Sequence, residues 1–175
     1  MQKRSIATGI VGIAVPILMV ITQILFFIVE MIIINTRPPT TTQVIGIPVP
    51  HSLMNGFNAF SWVAFGLTFV MGLVILIMGI VSLAQMKTGK AAKPAGIIII
   101  VFTTLIMLMG FAGTGFAIVG IVYMSMPNYY GGDLLLLTAL PIAFRGVVAF
   151  IGLLTQVIFM IVFRQKTIPN QSSSL

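Results

Sequence analysis

Apolar residues dominate the chain, and the polar ones fall mostly between long apolar runs rather than among them. Four blocks stand out, at about 6–34, 57–85, 94–126 and 134–163. Each exceeds the ~20 residues that carry an α-helix across a hydrocarbon core about 30 Å thick. Lipid offers no hydrogen-bond partner, so a spanning segment must satisfy its backbone internally, as a helix does. A β-barrel would need many short alternating strands, and the blocks contain none. The first block follows Lys3 and Arg4 in the manner of a signal peptide. Its apolar stretch continues through Ile24, Leu25, Phe26 and Phe27, well past the 7–15 residues of a signal core, and reads as a retained span.

Three connections separate the blocks. Residues 35–56 are rich in Thr and Pro, and Pro38-Pro39 favours extended backbone there. The prolines around 44–50 confine that stretch to an edge strand or irregular cover. Residues 86–93 carry Lys87, Lys90 and Lys93, and 127–133 form a turn at a Gly-Gly pair. The predicted architecture is all-α: a polytopic membrane protein, with an antiparallel bundle of four long transmembrane helices forming a single domain over 1–166. An extracytoplasmic Thr/Pro loop at 35–56 and a flexible cytoplasmic tail at 167–175 complete it.

Charge sets the orientation. Lys3, Arg4, Lys87, Lys90, Lys93, Arg164 and Lys166 lie on one side of the predicted topology, against Arg37 and at most Arg145 on the other. Cytoplasmic loops are enriched in Lys and Arg, so these seven act as topology anchors and both termini are expected inside a cell membrane. The net charge of +7 does not point to nucleic acid, because the basic residues flank apolar blocks and form no basic face interleaved with aromatics. With 59% hydrophobic and only 6% charged residues, the chain is far from the soluble average of roughly 25% charged. The lipid bilayer is its expected partner, together with other membrane subunits or copies of itself.

The blocks are longer than a bilayer requires: 30 residues make a helix of about 45 Å. Tilt absorbs only part of the excess. The basic residues fix the inner ends, so the apolar outer ends are expected to project and to need cover.

Few residues carry chemistry. Glu30 lies 26 residues beyond Arg4, about 39 Å along a helix, and reads as an interfacial or structural acid rather than an ion-coupling group. Arg145 lies 19 residues before Arg164, about 28 Å from the inner anchor, where it can snorkel outward. A sharper alternative pairs Glu30 with Arg145, across neighbouring first and fourth helices. His51 has no second His or Cys with which to hold a metal. Ser61, Ser82 and Ser125 lack an evident base for nucleophilic catalysis. No catalytic residue, cofactor site or metal site is predicted, and zero cysteines exclude thiolate chemistry.

Small residues suit close helix packing in membranes. Ala64, Thr68, Gly72 and Gly79 form a stripe on the second block, and Gly110, Gly113, Ala117 and Gly120 another on the third. The short Lys-rich hairpin is expected to bring these stripes face to face, within the chain or, alternatively, between copies. Gln23 and Gln156 are amides inside spans and need partners. Pro16 interrupts the hydrogen bonding of the first helix.

Four spans, internal termini and an outer first loop resemble claudin-type and tetraspanin-type proteins in topology alone; their cysteines are missing, and Trp62 stands without the Trp-Gly-Leu-Trp motif of claudins. The four helices also resemble rotor proteolipids of rotary ATPases, but no Asp or Glu lies within the second, third or fourth block. The expected function is a non-catalytic structural or accessory subunit of a membrane assembly. The alternative is a small oligomeric channel or transporter with Thr103, Thr104, Gln23 or Gln156 along its path.

Overall fold

A computed structural model describes residues 2–36, 47, 48, 50–126, 129, 130 and 132–163. Four long helices account for nearly all of them: α1 (Gln2–Thr36), α2 (His51–Ala84), α3 (Ala92–Ser125) and α4 (Gly132–Val162). Each is long and apolar enough to cross a membrane. The backbone of Ile47–Pro48 pairs in parallel with Tyr129–Tyr130. Most of the Thr/Pro connection, Arg164, Lys166 and the tail lie outside the described residues.

All four helices start earlier than the apolar pattern predicts, α3 and α4 by two residues and α1 and α2 by more. The helical backbone of α1 extends to Gln2 rather than starting at Ile6, and α2 begins at His51 rather than Phe57. Pro50 explains the second start. It is extended (φ −51°, ψ 129°), and its carbonyl accepts hydrogen bonds from the Leu53 and Met54 amides at 3.0 and 3.1 Å. The first turn therefore closes directly after the proline, although His51, Ser52 and Asn55 are polar. Between α2 and α3, Gly89 takes a positive φ of 65°, a conformation that glycine adopts at no steric cost. Its amide bonds the Gln85 carbonyl at 2.9 Å.

Packing is most extensive between α3 and α4, followed by α1 with α2, α1 with α4, and α2 with α3. One core cluster gathers Val11, Val15 and Met19 of α1 with Met71, Ile75, Ile99, Ile106 and Ala149. A second joins Phe57 to Ala117, Leu135, Ala139 and Ile142, with the Phe57 and Phe116 rings 4.8 Å apart between centroids. The interior is thin. Large apolar side chains such as Trp62, Phe69, Phe111 and Ile151 stand exposed around the molecule, a surface compatible with lipid contact.

The helices do not all pack along their whole length. In α1 the buried face of Val11, Val15 and Met19 stops abruptly, and from Val20 onward no described side chain of that helix is buried. Ile24, Leu25, Phe27, Ile28 and Ile32 are all exposed. At 100° per residue the exposed positions between Val20 and Ile32 span about 200° of the helix circumference, and the remaining face, formed by Thr22, Gln23, Phe26 and Glu30, is half-buried. The aromatic contact of Phe26 with Phe144, 5.1 Å between centroids, ties this second half to α4.

Candidate functional site

Beyond a close contact between Gly12 and Gly79, a groove of about 270 Å³ opens between α1 and α2. Its α1 wall runs from Pro16 to Ile21, and its α2 wall includes Phe65, Thr68, Phe69, Gly72 and Leu76. Helical periodicity builds these walls. Thr68, Met71 and Ile75 of α2 turn into the molecule, while Phe69 and Leu73 are exposed. An ideal Cβ on Gly72 would meet nothing within 4 Å, so the missing side chain widens the groove.

Arg145 reaches this groove from α4. It is only 7% exposed. Its Nε donates to the Pro141 carbonyl at 3.2 Å, one turn back on the same helix, and its Cζ lies 5.8 Å from the centroid of the Phe65 ring. That separation is within the range of cation–π attraction. Among the described residues, no carboxylate contacts it. Guanidinium stays charged under all ordinary conditions and carries five N–H donors, of which the structure pairs the one on Nε. Arg145 is therefore turned inward near the middle of α4, rather than outward toward a polar boundary.

The structure does not bring Glu30 and Arg145 together. Glu30 is half-buried on the sparsely packed second half of α1, whereas the groove meets α1 at residues 16–21. Nine residues separate Ile21 from Glu30, about 13 Å along the helix. Anchor counting on two separate helices misses this, because it fixes neither their relative shift nor the direction of a side chain.

The two small-residue stripes also meet partners other than each other. Gly79 lies against α1: its ideal Cβ would fall 2.7 Å from the Gly12 carbonyl carbon. Gly110 and Gly113 lie against α4 instead. The Cβ of Gly146 would fall 2.6 Å from the Gly110 Cα, and that of Gly113 would fall 2.7 Å from Ile142 Cγ2. Ala64, Thr68, Ala117 and Gly120 are buried, and Gly72 lines the groove. The signal missed was the matching glycines on the outer helices of the sequence: Gly9 and Gly12 on α1, and Gly146 on α4.

A buried polar cluster lies toward the first turns of α1. Ser5 Oγ donates to the Ser82 carbonyl, and Ser82 Oγ donates to the Ser5 carbonyl at 2.9 Å. Gln156 Nε2 donates to Thr8 Oγ1 at 3.1 Å, while Arg4 Nη2 meets Met160 Sδ at 2.9 Å. Gln156 thus has a helix-contact partner, although its Oε1, like Gln23 Oε1, is buried without one. Thr103 and Thr104 bond carbonyls of their own helix at Ile99 and Ile100. Ser5 and Thr8 escaped sequence reasoning because they lie at the edge of the first apolar block, where polar residues attract no notice, and Ser82 was weighed there only as a nucleophile.

Among the anchors, Lys3, Lys87, Lys90 and Lys93 are exposed and Arg4 is half-buried. His51 is exposed at the start of α2. Among the described residues, no group of three or more His, Cys, Asp or Glu is placed to hold a metal ion. No family model, curated protein or solved structure matches this chain.

Proposed function

We propose that this protein is a non-catalytic structural or accessory subunit of a membrane assembly, and that it packs through its transmembrane helices. The observation that carries this reading is the second half of α1, where no described side chain is buried and apolar residues such as Ile24, Leu25, Phe27, Ile28 and Ile32 stand exposed over a broad face. A helix of 35 residues is about 52 Å long, against a hydrocarbon core of ~30 Å. Lipid alone therefore does not cover an upright α1 to its end. A neighbouring transmembrane chain or a second copy would cover the remainder.

In this reading the four helices form an antiparallel bundle. The order of the contacts supports that: Ser5 meets Ser82, whereas Gly12 meets Gly79. Lys87, Lys90 and Lys93 then share the cytoplasmic side with both termini, in a cell membrane. Extraction in a mild neutral detergent, followed by size measurement and identification of co-migrating chains, tests the proposal. A complex larger than one chain is expected; a lone monomer would sink the reading.

A further inference from the structure

We propose that the groove between α1 and α2 binds a single-chain anionic amphiphile, a long-chain carboxylate, whose head pairs with Arg145 and whose tail lies along the apolar walls. This inference uses the membrane-embedded fold but is independent of the subunit reading.

The first argument is the unmatched cation. Arg145 is buried, permanently charged and paired through Nε alone. A charge in a membrane interior is costly unless it finds a partner or reaches water. The chain has only two acidic side chains to offer, Glu30 and Asp133. Glu30 is about 13 Å along α1 from the groove, and Asp133 is twelve residues before Arg145, about 18 Å along α4. Neither is in contact with Arg145, so an anion that pairs with it comes from outside the chain.

The second argument is the chemistry of the lining. Apart from Arg145 and Thr68, the walls are apolar, with Ile17, Val20, Phe69 and Leu73 among them. A large head bearing hydroxyls or an ammonium would bury polar groups there without partners, at a cost. A carboxylate brings two oxygens, and one guanidinium fork satisfies both. Depth points the same way: Arg145 is thirteen residues from the start of α4 and seventeen from its end, about 20 and 26 Å along the helix. A bulky head would leave the interface to reach it.

The third argument is size. At about 270 Å³ the groove is at the small end of the ~300–1,000 Å³ typical of ligand sites. That suits one hydrocarbon chain rather than two. The groove is partly open rather than an enclosed cavity, and exposed lining residues such as Ile17, Val20 and Phe69 give an amphiphile a route in from the surrounding lipid.

Equilibrium binding to the full-length protein in neutral-lipid nanodiscs tests this with three probes: oleate, methyl oleate and dioleoyl phosphatidylglycerol. Oleate is expected to bind saturably, and methyl oleate at least tenfold more weakly. Arg145→Gln is expected to weaken oleate at least tenfold. Gly72→Leu is expected to do the same by filling the groove, with helicity and elution volume unchanged, because its side chain enters open space. Equal binding of oleate and its methyl ester would overturn the proposal, as would unaltered oleate binding by Gly72→Leu. Stronger binding of phosphatidylglycerol than of oleate would overturn the assignment of a single-chain carboxylate. If Arg145→Gln does not fold, the ester comparison and Gly72→Leu still decide the matter.

Discussion

Gly110 and Gly146 show how much one hydrogen atom in place of a methyl group can control. The Cα of Gly110 would lie 2.6 Å from a Cβ added to Gly146, so α3 and α4 meet backbone to backbone. Gly146→Ile is expected to destabilise the protein by about 1–3 kcal/mol through overpacking. Gly115→Ala, where an added Cβ meets nothing within 4 Å, is expected to be neutral or to stabilise by up to about 1 kcal/mol through helix propensity. Thermal unfolding in detergent checks both, and equal losses would refute the distinction. From the sequence these glycines look alike. Spacing identifies a small-residue stripe, but the partner depends on rotation and offset between helices, and both emerge only when four helices pack together. Arg145 was legible in the same partial way: a lone charge within an apolar block is conspicuous, yet whether it turns outward or into a groove depends on Pro141, Phe65 and the gap beside α1.

At the scale of elements, the four helices were plain from apolar run length alone, because an unbroken run of about 30 residues has few other solutions in lipid. Their starts were not. The first turn of α2 is polar and owes its helical form to the Pro50 carbonyl, a local hydrogen-bonding effect that hydropathy does not register. The uneven cover of α1 was also hidden, since the sparsely covered second half is no less apolar in sequence than the first. Because the natural chain has no cysteine, single substitutions report cleanly on that difference. Leu25→Cys or Ile28→Cys, both exposed positions, is expected to cross-link to a neighbouring chain in native membranes. Val11→Cys, on the buried face, is expected to remain unmodified. Comparable yields at all three would contradict the proposed contact.

At the scale of the whole molecule, the balance of exposed apolar and buried polar groups is reversed from that of a water-soluble protein. Phe111, Ile151 and Ile161 face outward, while Ser5, Thr8, Ser82 and Gln156 are fully buried. Such an arrangement requires a solvent that welcomes apolar surface. The proposed orientation adds a directional prediction: Lys3→Cys and Lys90→Cys are expected to react with an impermeant thiol reagent from the same side of the membrane, and His51→Cys from the opposite side. Labelling of all three from one side would overturn the topology.

The clasp of α1 to its neighbour has a mechanical corollary. Its first half is fixed to α2 by the Ser5–Ser82 exchange and by the abutting Gly12 and Gly79. Pro16 follows, where the backbone ladder lacks a rung. From there about 20 residues extend to Thr36, an arm of about 30 Å. Lever geometry multiplies any bend at the proline: about 10° displaces the tip by about 5 Å, one full helical pitch. A small adjustment in the groove beside Pro16 is thereby enlarged at the far end of α1, where the proposed neighbour would sense it.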